Sequence, residues 1–78
     1  QELINVEVGE KPPVEDVPEL QEAIRSAEER LNGQGRILLR YSGTQPLCRV
    51  MVEGEDGEYI RELANELARE VRRCLGAG

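Results

Sequence analysis

The chain has 78 residues, a net charge of −6 and two aromatic side chains, both tyrosines. This length allows one small domain with a thin core, and an enzyme with its own enclosed cleft would be unusual at this size. The acidic balance argues against a nucleic-acid surface, and the scarcity of aromatic residues argues against a platform for stacking bases.

The first half of the chain predicts a strand and then a helix. Residues 3–8 alternate apolar and polar side chains, as a half-buried strand does. After the proline-containing connector GEKPP, Asp16 predicts a helix N-cap, and apolar residues then recur at helical spacing as far as Leu31. Gly33 and Gly35 predict the end of this helix.

The second half predicts two strands and a second helix. Residues 36–41 and 47–53 read as strands joined by a short loop, and Asp56 predicts the N-cap of a helix that Gly76 closes. Each element of this β-α-β-β-α order has one apolar face. We therefore predict an α+β two-layer sandwich, with a mainly antiparallel sheet of three to four strands and two helices on one face.

The two cysteines do not form a metal site. Cys48 and Cys74 have no ligand spacing, and the chain has no histidine, which excludes zinc and haem. Each cysteine falls on an apolar stripe, so we expect reduced thiols in the core, with one disulfide as the alternative.

The pairing of the two middle strands follows from parity. A one-residue slip would send every side chain to the wrong face, so the apolar residues must stay together. Pairing residues whose numbers sum to 89 meets this condition. On the face away from the helices, the predicted pairs are then Arg36 with Glu53, Leu38 with Met51, and Arg40 with Arg49.

The pair Arg40 and Arg49 is unusual, because like charges directly opposite each other destabilise a sheet. Residues 31–52 contain no Asp or Glu that could offset them. An anion bound between the two arginines would remove the repulsion, and arginine can bind phosphate oxygens with two hydrogen bonds at once.

The loop between these arginines supplies further donors. Ser42 and Thr44 carry hydroxyl groups, and Gly43 would let a ligand approach its backbone N–H. The alternative is an ordinary hairpin loop, because these are also common turn residues. A second alternative is an interaction module, in which the apolar patch of Leu38 and Met51 docks a partner. An anion-sensing or nucleotide-binding domain is disfavoured by the lack of stacking residues.

The segment RYSGTQPLCRVMVEG resembles the C-terminal signature R-x-S-G-T-E-P-x-x-R-V of the phosphohexomutase superfamily. Its continuation PLCRVMVEGED is most similar to the phosphoglucosamine mutase branch, with the phosphomannomutase and phosphoglucomutase branches as alternatives. The flanking QELINVEV and ANELAREVRRCLG match the same domain. The resemblance implies a TBP-like fold for residues 1–78, a single domain of a larger enzyme.

Members of this superfamily are cytoplasmic four-domain enzymes that interconvert 1- and 6-phosphosugars, and the resemblance implies such a parent enzyme. It places the phosphoserine and a Mg²⁺ ion in the preceding domains, outside this chain, which has no catalytic residue or metal ligand. Its partners would be a phosphosugar and those domains, with no nucleic acid or membrane. The isolated chain is expected to be inactive.

The resemblance also assigns residues to the phosphate that does not react. It implies that Arg40 is the principal phosphate ligand, that Ser42, Gly43 and Thr44 are loop donors, and that Arg49 is a supporting cation. Gln45 departs from the signature, which has glutamate at this position.

Overall fold

The computed structural model describes residues 1–76 and has the predicted order of elements. A short 3₁₀ turn precedes the first helix. The elements are β1 (Glu2–Glu7), the 3₁₀ turn (Val14–Asp16), α1 (Pro18–Leu31), β2 (Gly35–Tyr41), β3 (Leu47–Gly54) and α2 (Gly57–Leu75).

The sheet has three strands in the order β1-β3-β2, and the central strand β3 is antiparallel to both neighbours. The predicted register of the hairpin is confirmed, since Leu39 pairs with Val50 and Arg40 pairs with Arg49. Beyond β1, Val8 forms a single bridge to Gly76. β1 therefore ends one residue earlier than predicted.

The core lies between the sheet and the two helices, which confirms the α+β two-layer fold. Its most deeply buried side chains come from the inner face of β1 and β3 and from both helices, and each is at most 2% exposed. Full burial of each large aliphatic side chain contributes about 1.5–3 kcal/mol. The most deeply buried residues are Val6, Leu20, Cys48, Val50, Val52, Ile60, Leu63 and Val71. None of them belongs to β2, because the inner side chains of that strand are only partly buried.

The start of α1 differs from the prediction. Asp16 lies in the 3₁₀ turn, and Val17 is the N-cap residue, without a side-chain hydrogen bond. Pro18 occupies the first helical position, where its missing N–H leaves one fewer donor for a cap to satisfy. The predicted cap at Asp16 is therefore wrong. The residue before a proline is disfavoured in the helical region, so Val17 stays extended (φ −115°, ψ 93°) and the helix begins at Pro18.

The other helix ends follow the prediction more closely. Asp56 caps α2 by accepting a hydrogen bond from the Tyr59 N–H at 3.1 Å. Gly76 closes α2, and Gly33 follows α1 in a left-handed conformation with φ 77°. Gly35, however, already belongs to β2.

Both cysteines have free thiols. Cys48 is buried beneath the sheet, whereas Cys74 is only half-buried on α2. Within residues 1–76, no helix combines the length and the apolar content needed to cross a membrane.

Candidate functional site

The sheet face away from the helices carries an open depression of about 460 Å³ at the loop end of the β2–β3 hairpin. Four of the five predicted site residues line it, namely Arg40, Ser42, Gly43 and Arg49. Thr44 is exposed on the same loop but lies outside the lining. The depression therefore brings the two arginines and the first half of the loop together.

The two arginines lie directly opposite each other on β2 and β3, and both are exposed. Within residues 1–76, neither guanidinium has a carboxylate within ion-pair distance. Arg36, on the same face of β2, instead pairs with Glu53 at 3.2 Å. The positive charge at Arg40 and Arg49 is thus not neutralised locally, although the chain is acidic overall.

Asn5 extends this polar row onto β1. It pairs with Arg49 in the sheet, and its Oδ1 accepts a hydrogen bond from the Arg49 Nε at 3.3 Å. This contact orients the Arg49 guanidinium and leaves its two terminal nitrogens free for other partners. The sequence showed Asn5 on the polar side of a strand but did not give the register of β1 against β3.

One acid does approach the site through the fold. Glu7 is exposed on β1, two residues beyond Asn5, and is paired with Leu47 in the sheet. It forms no ion pair with Arg49 in the described part of the chain. Residues 31–52 thus contain no acid in sequence, but the fold places an acid of β1 on a neighbouring position of the sheet. Glu7 is the carboxylate closest to Arg49 in the register of β1 against β3.

The Ser42 side chain organises the loop. Its Oγ accepts hydrogen bonds from the backbone N–H groups of Thr44, at 3.4 Å, and Gln45, at 3.2 Å. Serine commonly forms such local turns with backbone groups ahead of it. Because the oxygen is the acceptor in both bonds, the hydroxyl proton of Ser42 is still available to a ligand.

In the part of the chain that the structure describes, only one backbone donor of the loop is left without a partner. The Ser42 N–H donates to the Leu47 carbonyl at 2.9 Å, and the Leu47 N–H donates to the Gln45 carbonyl at 2.8 Å. Since Thr44 and Gln45 are bound to the Ser42 Oγ, the Gly43 N–H alone has no acceptor among residues 1–76. Gly43 therefore offers the free backbone donor that an anion would need.

The connector between β1 and α1 is held against this loop. The Val8 N–H donates to the Pro46 carbonyl at 2.9 Å, and the Tyr41 hydroxyl donates to the Pro12 carbonyl at 2.5 Å. Between them, Lys11 Nζ donates to the Ser42 carbonyl at 2.6 Å. Lys11 is the chain's only lysine, but sequence reasoning missed this contact because a proline-containing connector has no periodic pattern.

Tyr41 contributes a neutral hydroxyl group to this arrangement. Burial raises the pKa of Tyr41 above its ordinary value of 10.0, and the Cys48 thiolate that forms at high pH and the carboxylates of Glu10 and Glu15 act in the same direction. The phenol therefore remains a hydrogen-bond donor to the connector at neutral pH.

An apolar row borders the arginines on the sheet face. Leu3, Met51 and Leu38 pair across the three strands, and Leu3 and Leu38 are 48% and 44% exposed. All three line the same depression as the arginines. The depression thus has a cationic end at the loop and an apolar end further along the sheet.

No metal centre accompanies the site. Across residues 1–76, no three His, Cys, Asp or Glu side chains are grouped as metal ligands would be.

The comparisons with known proteins agree on one family. The family described as "Phosphoglucomutase/phosphomannomutase, C-terminal domain" matches residues 3–70. The phosphoglucosamine mutase of Desulfovibrio desulfuricans is 52% identical over 75 residues, which is 96% of this chain and 17% of that protein. The phosphoglucosamine mutase of a Geobacter species is 50% identical over 76 residues, which is 97% of this chain and 17% of that protein.

A solved structure shows the same fold. The crystal structure of N-acetylphosphoglucosamine mutase from Aspergillus fumigatus, a serine-to-alanine variant in complex with glucose 1,6-bisphosphate, matches with a TM-score of 0.78 and 33% identity. The match covers 92% of this chain and 15% of that chain. The chain thus spans only about one sixth of the length of its relatives. It belongs to the family of phosphoglucomutase/phosphomannomutase C-terminal domains.

Proposed function

We propose that this chain, residues 1–78, is the domain that binds the substrate phosphate at the C-terminal end of a phosphoglucosamine mutase. The parent enzyme would convert glucosamine 6-phosphate to glucosamine 1-phosphate in the cytoplasm. Support comes from the family match and from two relatives with this name at about half identity. A phosphomannomutase or phosphoglucomutase is the alternative, because the family description includes both.

The observation that carries the proposal is the pairing of Arg40 with Arg49, which have no acidic partner among the described residues, beside a Gly43 N–H that has no acceptor there. Two adjacent arginines without a counterion are unfavourable in an empty sheet and favourable around an anion. Each guanidinium can donate two hydrogen bonds to a phosphate, and charged hydrogen bonds of this type are the stronger ones.

In this proposal each residue has a distinct role. Arg40 is the principal phosphate ligand, and Arg49, oriented by Asn5, is the supporting cation. The Gly43 N–H and the Ser42 hydroxyl donate from the loop. Thr44 lies outside the lining of the depression, so its hydroxyl would reach the phosphate only from the rim of the loop.

The contribution of these residues to the reaction is positional. Holding the phosphate that does not react fixes the sugar, so that binding energy at one end orients the reacting end. A mutase that passes through a bisphosphorylated intermediate must present either end of the sugar in turn. A site that recognises phosphate without recognising the sugar suits both orientations.

The chemical steps belong to other parts of the longer protein. The described residues do not fit a magnesium site, so the Mg²⁺ ion and the phosphoserine would be supplied by the preceding domains. The chain has no histidine, and the Cys48 thiol is buried with a pKa raised by that burial. We therefore expect no mutase activity from this chain alone.

Titration of the labelled chain with inorganic phosphate and with glucosamine 6-phosphate, followed by NMR, tests the proposal. Amide and guanidinium shifts should concentrate at residues 40–44, with similar affinities for both ligands. Arg40→Ala should abolish them. Arg36→Ala is the matched control, because Arg36 lies on the same face of β2 but is paired with Glu53. Shifts that survive Arg40→Ala, or no shifts at all, would contradict the proposal.

A second function, docking of another part of the protein, is favoured by the exposed apolar row of Leu3, Met51 and Leu38. The occupant would be a preceding domain of the parent enzyme. Leu38→Ser should then lower the activity of the full-length enzyme while the isolated chain binds phosphate as before. Unchanged activity in the full-length protein would count against this function.

A further inference from the structure

We propose that Lys11 is a positioning residue of the phosphate site, which aims and strengthens the Gly43 N–H by holding the Ser42 carbonyl. This inference rests on the proposed function of the loop. It starts from the 2.6 Å hydrogen bond that Lys11 Nζ donates to the Ser42 carbonyl, across 31 residues of sequence.

The choice of partner is informative. The chain has 16 acidic residues and a single lysine, yet the ammonium group forms no ion pair within residues 1–76. It contacts a neutral backbone carbonyl in the loop instead. A lysine free to move in such an acidic chain would favour a carboxylate, so the contact depends on where the connector holds it.

The connector is fixed on both sides of Lys11. The Val8 N–H donates to the Pro46 carbonyl, and the Pro12 carbonyl accepts from the partly buried Tyr41 hydroxyl. Pro12 and the proline after it restrict the backbone further. Because these contacts hold the backbone of the connector, the Lys11 ammonium group can move only by rotation about the bonds of its side chain. The Ser42 carbonyl lies within reach of that group.

The contact controls the donor through the geometry of one peptide unit. The Ser42 carbonyl and the Gly43 N–H belong to the same planar trans peptide, so they point in opposite directions. Holding the carbonyl toward the connector turns the N–H away from it. Gly43 lines the depression, whereas Lys11 does not. The Gly43 N–H, which has no acceptor among residues 1–76, is therefore directed away from Lys11, and Gly43 itself lies at the depression where a phosphate would bind.

The positive charge has a second effect on the same peptide. A hydrogen bond to a carbonyl polarises the peptide unit and makes its N–H a stronger donor. An ammonium donor polarises more than a neutral one. Lys11 would thus raise the affinity for phosphate without touching the ligand.

The test compares three variants of the chain: Lys11→Met, which removes the donor, Lys11→Arg, which keeps a cationic donor, and Arg69→Met as a control. Arg69 is an exposed arginine of α2, on the opposite side of the sheet, so its loss changes the net charge equally. The readouts are the Gly43 amide proton shift without ligand and the Kd for inorganic phosphate, measured by NMR.

We expect Lys11→Met to shift the Gly43 amide proton upfield and to weaken phosphate binding roughly three- to tenfold, because the bond from the Gly43 N–H to phosphate would lose about the net contribution of one ordinary hydrogen bond. Lys11→Arg should restore most of the Gly43 amide proton shift and most of the affinity for phosphate. Arg69→Met should change neither the shift nor the affinity. The inference would be overturned if Lys11→Met bound phosphate as tightly as Arg69→Met does. It would also be overturned if the chemical shift of the Gly43 amide proton did not change in Lys11→Met. The proposed function would survive that result if Arg40→Ala still abolished binding. Absence of phosphate binding in the unmodified chain would overturn both.

Discussion

Replacing Arg40 by glutamine should make the fold slightly more stable and should largely remove the response to phosphate. Arg40 forms no ion pair with a residue in 1–76 and faces Arg49 across the strand pair. The substitution therefore removes a repulsion and no favourable charge contact. A structural arginine would behave in the opposite way.

The magnitudes follow from elementary electrostatics and linkage. Two unit charges about 7 Å apart in water repel each other by roughly 0.6 kcal/mol, and salt screens part of this. Arg40→Gln should thus raise the free energy of unfolding by about 0.2–0.6 kcal/mol. Phosphate at about ten times the Kd should add about 1.4 kcal/mol to the unmodified chain. A tenfold loss of affinity would reduce that gain to about 0.4 kcal/mol in the variant.

Urea unfolding with and without phosphate, at constant ionic strength, measures both quantities. Arg36→Gln is the control, because it removes an exposed pair with Glu53, at most about 1 kcal/mol, and leaves the site intact. The control should gain as much from phosphate as the unmodified chain does. The reasoning is refuted if Arg40→Gln loses more than about 1 kcal/mol without phosphate, or gains as much from it as the control.

Three further predictions concern the glycines, the pH dependence of stability and the reactivity of the thiols. Gly43→Ala should change the free energy of unfolding by less than about 0.5 kcal/mol, since no atom lies within 4 Å of the added Cβ. Gly35→Ala should lower the free energy of unfolding by about 1–3 kcal/mol, because its Cβ would lie 2.1 Å from a carbonyl oxygen of β3. Urea unfolding measures both, and equal losses would contradict the packing argument. Burial raises the pKa of Tyr41 and Cys48, so the folded state keeps protons that the unfolded chain releases, and stability should fall as the pH rises through their ordinary values of 10.0 and 9.0. Tyr41→Phe should remove the part of this loss of stability that occurs at the highest pH values, as measured by urea unfolding at a series of pH values. If the loss of stability is unchanged in the variant, it comes from other groups. A thiol reagent should modify half-buried Cys74 before buried Cys48, and mass spectrometry of partly labelled chain would show the reverse order if the core opens readily.

The hairpin could be predicted from the sequence because the apolar pattern and the short loop together limit its register. Every second residue of β2 and β3 is apolar, so a one-residue slip would separate the apolar faces. A two-residue slip would keep them together, but it would either draw Pro46 into the strand pair or lengthen the loop. The Arg40–Arg49 pair followed directly. β1 gave no such constraint, because the sequence does not say which strand it borders. The contact of Asn5 with Arg49 was therefore missed.

The contacts of the connector could not be predicted for a different reason. Lys11 reaches Ser42 through a segment without regular structure, and its position depends on hydrogen bonds from Val8 and Tyr41 that link residues distant in sequence. Periodicity carries no information about such contacts. The misplaced cap at Asp16 has a local cause, since Asp16 lies in a single 3₁₀ turn before Pro18 and the start of the helix is one residue later than predicted.

Gln45, which stands where the family signature has glutamate, shapes the loop through its main chain alone. Its N–H donates to the Ser42 Oγ, and its carbonyl accepts from the Leu47 N–H. The side chain is exposed and lines the depression with the two arginines. Gln45→Glu should therefore keep the fold, because no main-chain contact depends on the amide, and the new carboxylate near the two arginines should raise the free energy of unfolding by at most about 0.5 kcal/mol.

The same substitution should alter binding. A carboxylate beside Arg40 and Arg49 competes with phosphate for their guanidinium groups, so the Kd for inorganic phosphate should rise several-fold at low salt. The difference should shrink as salt screens the charges, since the Debye length falls from about 30 Å at 0.01 M to about 8 Å at physiological ionic strength. NMR titrations of both forms at the two salt concentrations measure this. Equal affinities at low salt would mean that the residue at position 45 faces away from the bound phosphate, and glutamate in the family would then act on the sugar instead.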